Sequence, residues 1–259
     1  MASVEDLCFD IEGHTAIVTG GSSGIGVTFA EALAEAGVNV TICARRLNKL
    51  EKVADQIMKN NDVTILPIEC DVTEENEVKN MVKKTISEFG SLEILVNNAG
   101  TSAIAPSTEM PVETWRKVID VNLTGVFLCG RTAAIEMIKE NYGKIINIAS
   151  IYGRVGDVFA AAPYYASKGA VVNLTRSMSV EWAAEGIYVN ALAPGFFPSE
   201  MTEDIFQDQS TLNYIESRTP LKRVGSHEDL KAPLVFLSSP GSNYITGQTI
   251  YVDGGWTAL

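Results

Sequence analysis

The chain alternates short apolar runs with longer amphipathic segments along nearly its whole length. We predict strands at residues 14–19, 38–44, 62–70, 92–98, 144–150, 187–193 and 248–254, and helices at 24–37, 47–59, 73–90, 111–139 and 164–185. Thr73 is the predicted N-cap of the third helix, and Gly90 lies just past its end. Strands separated by helices form βαβ units, so the predicted fold class is α/β: a doubly wound parallel sheet of about seven strands with helices on both faces.

Length and composition narrow the class of protein further. The chain has 259 residues and shows neither a linker nor a repeat, so we expect one domain over 1–259. A net charge of −12 disfavours binding to nucleic acid or to an anionic membrane. We see no apolar run long enough for a membrane span and no signal peptide, which favours a cytoplasmic protein.

Cysteine and histidine usage argues against disulfides and metal sites. The four cysteines, Cys8, Cys43, Cys70 and Cys129, are far apart in the sequence and form no Cys-x-x-Cys motif. We expect buried, reduced thiols. With only two histidines in the chain, no histidine-based metal site is expected.

A glycine-rich turn follows the first predicted strand, and ligands of doubly wound sheets bind at such strand ends. Its glycines let the backbone approach a ligand, and the next helix directs its N-terminal N–H groups at the same place, which suits a phosphate. The alternative is an ordinary strand–helix turn. The predicted phosphate-binding residues are Thr19, Gly20, Ser22, Ser23, Gly24, Ile25 and Gly26.

The end of the second strand bears on cofactor choice. Ala44 stands where a carboxylate would bind the adenine ribose of NAD, and Arg45 and Arg46 follow it. A guanidinium there suits a ribose 2′-phosphate, so NADP(H) is favoured while NAD(H) stays open. The alternative is a solvated arginine pair.

Other strand ends carry further candidates for the cofactor site. Asp71, which precedes Val72, either accepts a hydrogen bond from the adenine amino group or begins the next helix. Asn98, before Ala99 and Gly100, either holds a cofactor ribose or braces the sheet. After the sixth strand, the backbone at a Pro-Gly pair is free to bind a carboxamide, and the phenylalanines that follow are candidates for the substrate wall. The residues concerned are Pro194, Gly195, Phe196, Phe197 and Ser199.

A candidate proton-transfer group lies between Ser150 and Lys168. Tyr164 and Lys168 are one helical turn apart, so the ammonium is expected to lower the pKa of the phenol by roughly two units. The alternative is chance, because Tyr-x-x-x-Lys is a common pattern. Asn122 lies in a predicted apolar helix, where its amide needs partners; it is a candidate to kink the helix and hold a proton-relay water.

Together these marks resemble the short-chain dehydrogenase/reductase family over nearly the whole chain. TGGSSGIG, NNAG, VNLTG, IASIYG, YYASK, NALAPG and TGQTIYVDGG occur in the family's order. The resemblance implies a Rossmann-like domain, a nicotinamide cofactor, a homotetramer and a catalytic tetrad of Asn122, Ser150, Tyr164 and Lys168. In it, Tyr164 is the acid/base, Ser150 orients the carbonyl, and Lys168 holds the nicotinamide ribose.

The spacing departs from the family at one point. Tyr164 follows Ser150 by fourteen residues (164 − 150 = 14) where the family usually has thirteen, so one residue is inserted between Gly156 and Pro163. The expected substrate pocket comprises Ser150, Tyr152, Phe159, Tyr164 and Phe196, under a lid at about 196–218.

The resemblance favours a 3-oxoacyl reductase-like carbonyl reductase acting on a small carbonyl or alcohol. The alternative is a gluconate 5-dehydrogenase-like sugar or polyol dehydrogenase, and a non-catalytic dinucleotide-binding regulator ranks lower. Arg154 and Arg218 are the candidates for binding a substrate carboxylate or a carrier-protein phosphate. Because basic residues are few in this segment, the sequence disfavours sugar acids and acyl carriers and leaves a neutral or apolar ketone or an uncharged sugar open. The helix face around 169–182, with Ala170, Val171 and Leu174, and the C-terminal strand are candidates for subunit contacts. The alternative is that both belong to the core.

Overall fold

A single parallel sheet organises the protein. The structure, a computed structural model, describes residues 9–259. The strands are β1 (Thr15–Thr19), β2 (Asn39–Ala44), β3 (Ile65–Glu69), β4 (Ile94–Asn97), β5 (Gly143–Ile148), β6 (Ile187–Pro194) and β7 (Thr249–Val252). All neighbours pair in parallel in the order β3-β2-β1-β4-β5-β6-β7. The order reverses between β1 and β4, and the predicted fold class is confirmed.

Helices cover both faces of the sheet. They are α1 (Ile25–Glu35), α2 (Leu47–Met58), α3 (Glu75–Phe89), α4 (Val112–Ile119), α5 (Gly125–Lys139), α6 (Ala162–Trp182), α7 (Glu203–Gln207), α8 (Gln209–Arg218) and α9 (Glu228–Ser238). Alternate residues of β1 point to opposite faces: Val18 packs in one core cluster with Phe29, and Ile17 packs in another with Met81. The sheet is therefore buried on both sides, as its continuous apolar runs predict.

The predicted helix at 111–139 is interrupted near its middle. Residues Asp120–Thr124 form a π-helical turn between α4 and α5. By length and composition Val112–Lys139 would suffice to cross a membrane, contrary to the sequence-based expectation that no segment would. Cys129 and Met137 of this stretch, however, lie in the protein core, so we describe it as a core helix.

Of three local features, one prediction is wrong, one is confirmed, and one group of helices was not predicted. Thr73 is not the N-cap of α3, because its N–H and hydroxyl both bind Asp71 Oδ1, at 3.0 and 2.8 Å, and the helix begins only at Glu75. Gly90 does end α3, with φ of 89°. Helices α7, α8 and α9 were not predicted, and they fill the segments after β6.

The cysteine expectation holds for the part of the chain that is described. Cys43, Cys70 and Cys129 are buried and free, whereas Cys8 lies outside the described residues. Burial raises the pKa of the Cys129 thiol, so this group stays protonated at neutral pH.

Candidate active site

Ser150, Tyr164 and Lys168 meet at the carboxyl end of β5. Ser150 caps the short helical turn Ile151–Gly153, where its Oγ accepts from the Tyr152 N–H at 3.1 Å. The Tyr164 side chain hydrogen-bonds to that of Ser150. Lys168 donates from Nζ to the Ile148 carbonyl at 2.6 Å, and its Nζ lies 5.6 Å from the centroid of the Tyr164 ring. The fold thus brings together the three side chains that the sequence singled out.

Burial sets the ionisation of these groups. Burial raises the pKa of Tyr164, and the hydrogen bond with Ser150 offsets part of that rise. Burial lowers the pKa of Lys168 to about 8. In the protein alone the pKa of Tyr164 is therefore raised, contrary to the expectation that Lys168 would lower it. The reason is that desolvation of the phenol dominates, while the ammonium binds a backbone carbonyl instead of the phenol oxygen.

Asn122 lies in the π-helical turn and is fully buried. Its Oδ1 accepts from the Thr101 N–H at 2.7 Å, and its Nδ2 donates to the Thr101 carbonyl at 2.9 Å and to Ser167 Oγ at 3.0 Å. The amide thus ties the chain after β4 to α6, one residue before Lys168. Its polar atoms are used by protein partners, which makes its side chain a brace for the lysine.

A buried polar chain behind the site escaped the sequence reasoning. Asn97 of β4 donates from Nδ2 to Asn147 Oδ1 at 2.9 Å, and Asn147 of β5 donates to Thr175 Oγ1 on α6 at 2.9 Å. All three residues are buried. These bonds fix the height of α6 on the sheet, and hence that of Tyr164 and Lys168. An asparagine inside the apolar run KIINIAS was the available signal.

The glycine-rich turn has the geometry that a phosphate needs. Gly20 and Gly24 have positive φ values of 69° and 57°. A Cβ on Gly26 would stand 2.2 Å from the Gly20 carbonyl oxygen, so only glycine permits this approach of α1 to the turn. Helix α1 has no side-chain hydrogen bond at its N-cap and no acidic residue in its first turn. Its first N–H groups therefore suit an anion such as a cofactor phosphate.

Hydrogen bonds join the end of β1 to the residues that follow β4. Thr19 Oγ1 accepts from the N–H groups of Asn98 and Ala99, both at 3.0 Å, and Asn98 Nδ2 donates to the Thr19 carbonyl at 2.9 Å. The bracing role of Asn98 is confirmed. Gly100 lies beside the tetrad, since a Cβ there would stand 3.8 Å from Lys168 Nζ.

The two arginines after β2 are placed differently. Arg46 Nη2 pairs with Glu200 at 3.1 Å, and Lys49 pairs with the same carboxylate at 2.8 Å. These two hydrogen bonds, with one from Ser23, hold the pKa of Glu200 at about 2. Neither Glu200 nor Lys49 was a sequence candidate, because their link spans some 150 positions.

Arg45 lines a separate cleft. This cleft has a volume of about 330 Å³ and is lined by Arg45, Asp71, Thr73, Glu113, Arg116, Lys117, Asp120 and Val121. Asp71 Oδ1 is bonded to Thr73, which supports its role in beginning α3. Val72 is largely buried and packs against Gly125.

The segment after β6 crosses from the tetrad side to the glycine-rich turn. Gly195 N–H donates to the Val252 carbonyl at 2.9 Å. Ser199 faces Gly24, whose ideal Cβ position is 3.1 Å from Ser199 Cβ. Pro194 forms the end of β6. The segment thus lies against the glycine-rich turn through Ser199.

The two phenylalanines of this segment pack in different clusters, although both line one cleft with Thr219 and Gly254. Phe196 belongs to an aromatic cluster with Tyr152, Phe159 and Trp256. Phe197 packs into the main core with Leu230, so the two rings are not side by side. Consecutive residues in an extended segment point to opposite sides, which separates the two rings.

The aromatic residues predicted to line the substrate pocket cluster around Tyr152. Its ring stands edge-on to Tyr164 with centroids 6.4 Å apart and to Phe196 at 6.1 Å, and it stacks on Tyr165 at 4.3 Å. Phe159 lies 6.2 Å from Phe196. Two further aromatic residues that were not predicted belong to this cluster: Tyr165, which stacks on Tyr152, and Trp256, whose ring centroid lies 5.0 Å from that of Phe196.

Fold and site together define a dinucleotide-binding α/β oxidoreductase. A family model described as enoyl-(acyl carrier protein) reductase matches residues 20–257. The 3-oxoacyl-(acyl-carrier-protein) reductase FabG of Staphylococcus aureus is 43% identical over 242 residues, which cover 93% of this chain and 97% of that protein.

Solved structures agree in fold. A short-chain type dehydrogenase/reductase from Mycobacterium marinum has a TM-score of 0.94 at 39% identity, covering 99% of this chain and 100% of the other. A gluconate 5-dehydrogenase from Burkholderia cenocepacia, in complex with NADP and tartrate, has a TM-score of 0.94 at 36% identity, covering 98% of each chain. The chain belongs to the short-chain dehydrogenase/reductase family.

Proposed function

We propose that the protein is an NADP(H)-preferring carbonyl reductase of the 3-oxoacyl reductase type, with Asn122, Ser150, Tyr164 and Lys168 as its catalytic tetrad. The observation that carries the proposal is the meeting of the Ser150 and Tyr164 side chains at the end of β5, beside the buried Lys168 ammonium. A relative at 43% identity that is named a 3-oxoacyl reductase supports the substrate type.

The side chains divide the chemistry among themselves. When bound, reduced nicotinamide supplies the hydride for the carbonyl carbon. Ser150 Oγ donates a hydrogen bond to the carbonyl oxygen, and Tyr164 transfers its phenolic proton to that oxygen as the alcohol forms. Lys168 then stabilises the tyrosinate from one helical turn away. A tyrosine whose pKa is raised stays protonated at neutral pH, as a proton donor to the carbonyl oxygen must be.

The dinucleotide is proposed to lie across the carboxyl ends of the strands. Its phosphates lie on the turn Thr19–Gly26, and its adenosine lies near Asp71 and Val72. Asn98, Ala99 and Gly100 hold the ribose that faces Lys168. The nicotinamide end contacts Pro194, Gly195, Phe197 and Ser199, of which Phe197 offers its backbone because its ring is in the core.

Arg45 is proposed to read the ribose 2′-phosphate. It lines the cleft at the end of β2, where Ala44 stands in place of the carboxylate that would bind the adenine ribose of NAD. Arg46 is held by Glu200 and is the second cation near this position. Arg45→Ala is expected to weaken NADPH binding by roughly tenfold or more and NADH binding by less than twofold. Fluorescence titration of both cofactors measures this, and equal losses would remove Arg45 from the role.

A gluconate 5-dehydrogenase-like activity is the second candidate. It rests on the solved neighbour with NADP and tartrate, which covers 98% of this chain. NADPH and NADH oxidation over a panel of neutral 3-oxo thioesters, 5-ketogluconate, neutral sugars and simple ketones separates the two. Turnover on thioesters supports the first proposal and turnover on 5-ketogluconate the second. Cofactor binding without turnover on any class would contradict both and favour a binding role.

The assembly and compartment are also proposals. We expect a homotetramer in the cytoplasm. Val171 is fully buried in the core, so it does not contribute to a subunit contact as the sequence suggested. Exposed apolar side chains on α4 and α5, Trp115, Phe127 and Ile135, provide a better contact surface. Residues 196–218 are proposed to act as the substrate lid.

A further inference from the structure

Asp157 lies in the loop between Ser150 and Tyr164 that carries the extra residue. Its side chain is completely buried although the loop is at the surface. One oxygen, Oδ1, accepts from the Tyr214 hydroxyl and from the Val158 N–H, both at 2.7 Å. The other, Oδ2, accepts from the Tyr152 hydroxyl at 3.3 Å. A buried carboxylate is stable only where hydrogen-bond donors and a cation lie nearby.

Arg218 is that cation. Its Nη1 lies 3.3 Å from Asp157 Oδ1 and donates to the Tyr214 hydroxyl at 2.9 Å. Tyr214 and Arg218 are one turn apart on α8, so they present one face to the loop. The Arg218 guanidinium also lies over the Trp256 ring, 4.5 Å from its centroid. We call Asp157, Tyr214 and Arg218 the clasp; it joins the substrate loop to the proposed lid.

The clasp contacts the aromatic residues that surround Tyr164. Tyr152 contacts both Asp157 and the edge of the Tyr164 ring. Trp256, which lies under Arg218, also packs against Phe196. Any charge left free on the clasp would therefore be felt by a substrate held against Tyr164 and Phe196.

The clasp removes the cation that a substrate carboxylate would need. The sequence offered Arg154 and Arg218 for that purpose. Arg218 is paired with Asp157, although 38% of its side chain remains exposed. The Arg154 guanidinium lies over Tyr251, 5.3 Å from the ring centroid, and lines a cavity of about 650 Å³ with Arg176 and Gln248. That cavity lies along β7 and α6, outside the aromatic cluster.

We propose that Asp157 determines substrate charge: by pairing with Arg218 it restricts the site to uncharged carbonyl compounds, such as neutral 3-oxo thioesters, and excludes sugar acids. The proposal rests on the carbonyl reductase function proposed above. Asp157 acts through Arg218 and is a specificity-determining residue that does not itself contact the reacting atoms.

The test measures kcat/KM with NADPH for two probes, the N-acetylcysteamine thioester of 3-oxobutanoate and 5-ketogluconate. Asp157→Asn keeps the side chain's shape and an acceptor for Tyr214 but frees the charge of Arg218. We expect the ratio of carboxylate to thioester kcat/KM to rise about tenfold, through a lower KM for 5-ketogluconate, since a hydrogen bond to a charged group is worth at least that factor.

Two further variants isolate the cause. In Asp157→Asn combined with Arg218→Gln, the gain is expected to disappear because the freed cation is gone. Asp204→Asn makes the same charge change at an exposed residue of the same segment and is expected to leave the ratio unchanged. An equal rise in Asp204→Asn would show a bulk charge effect and overturn the proposal.

Arg218→Gln alone keeps the proposal testable if Asp157→Asn fails to fold. Because Arg218→Gln leaves the Asp157 charge unpaired, we expect the ratio to fall below that of wild type and to be restored in the double variant with Asp157→Asn. A fall that persists in the double variant would show that Arg218 serves a substrate carboxylate and would overturn the proposal. A wild type that prefers 5-ketogluconate would also refute the charge proposal while leaving an oxidoreductase. A wild type that turns over neither probe would contradict the proposed function itself.

Discussion

The two ends of β5 each carry a buried lysine beside a tyrosine. At the amino end, Lys144 is fully buried, donates to Ser242 Oγ at 3.0 Å and lies 4.0 Å from the Tyr188 ring centroid. At the carboxyl end, Lys168 binds the Ile148 carbonyl and lies near Tyr164. Burial lowers the pKa of both lysines to about 8. A shifted pKa therefore does not distinguish the two ends.

What differs is the partner of each tyrosine. Tyr164 lies beside the Ser150 side chain and an aromatic cluster that includes Tyr152 and Phe196. At the amino end the buried hydroxyl belongs to Tyr142, a second tyrosine, two residues before Lys144. It has no hydrogen-bond partner among the described residues, and burial raises the pKa of Tyr142 to about 12. Only the carboxyl end faces the glycine-rich turn. Proton transfer needs a hydrogen-bonded route to a ligand, and only one end of the strand has it.

Tyr164→Phe should give the largest effect. Loss of the proton donor is expected to lower kcat about 1000-fold while cofactor affinity changes less than twofold. Steady-state kinetics and cofactor titration measure the two quantities. Tyr142→Phe is the matched control and is expected to retain full activity. More than a few per cent of activity in Tyr164→Phe would refute the assignment.

Lys168→Met should come next, with kcat reduced by roughly 100-fold. The ammonium supports the developing tyrosinate only while it is protonated, so wild-type ketone reduction should fall as the pH rises through about 8. That inflection should be absent from the pH profile of Lys168→Met and present in that of Lys144→Met. An inflection that persists in Lys168→Met would have to come from another group.

Lys144→Met should change stability and leave activity intact. The pKa of Lys144 is lower in the folded protein than its usual 10.5, so burial of the charge opposes folding below about pH 8, and the penalty disappears as the pH rises towards 10.5. We expect the variant to be more stable at pH 7 by roughly 1–3 kcal/mol, with a smaller gain at pH 10. Urea denaturation at both pH values measures this. A loss at pH 7 would mean that Ser242 and the Tyr188 ring stabilise the charge more than burial opposes it.

Tyr142→Phe should show the smallest effect. Its hydroxyl is buried and unpaired among the described residues, so removing it is expected to change the free energy of unfolding by less than about 1 kcal/mol, in the stabilising direction. The same denaturation experiment detects this. A clear destabilisation would reveal a hydrogen bond to the hydroxyl, for example through a water.

The sequence predicted best what is local. The strands and the spacing of Tyr164 and Lys168 follow from periodicity and helix geometry, and Gly90 ends its helix where a left-handed residue is needed. Long-range pairs were not predictable. The Glu200 link to Lys49 depends on the path of the segment after β6.

The features that the sequence failed to predict depend on contacts that a side chain's type and position do not reveal. Thr73 has the chemistry of an N-cap, but Asp71 takes its donors. Phe197 stands beside Phe196 in the sequence and points into a different core. Nothing in the sequence singles out Asp157, because its contacts are with Tyr214 and Arg218, which are some 60 positions away.

The most direct test follows a label from cofactor to product. Wild-type protein is given NADPH carrying deuterium at both C4 positions and the neutral 3-oxobutanoyl thioester, and the product is examined by mass spectrometry. We expect a 3-hydroxy product with one deuterium on the former carbonyl carbon, and almost none of this product with Tyr164→Phe. Consumption of NADPH without labelled alcohol would contradict the proposed hydride transfer.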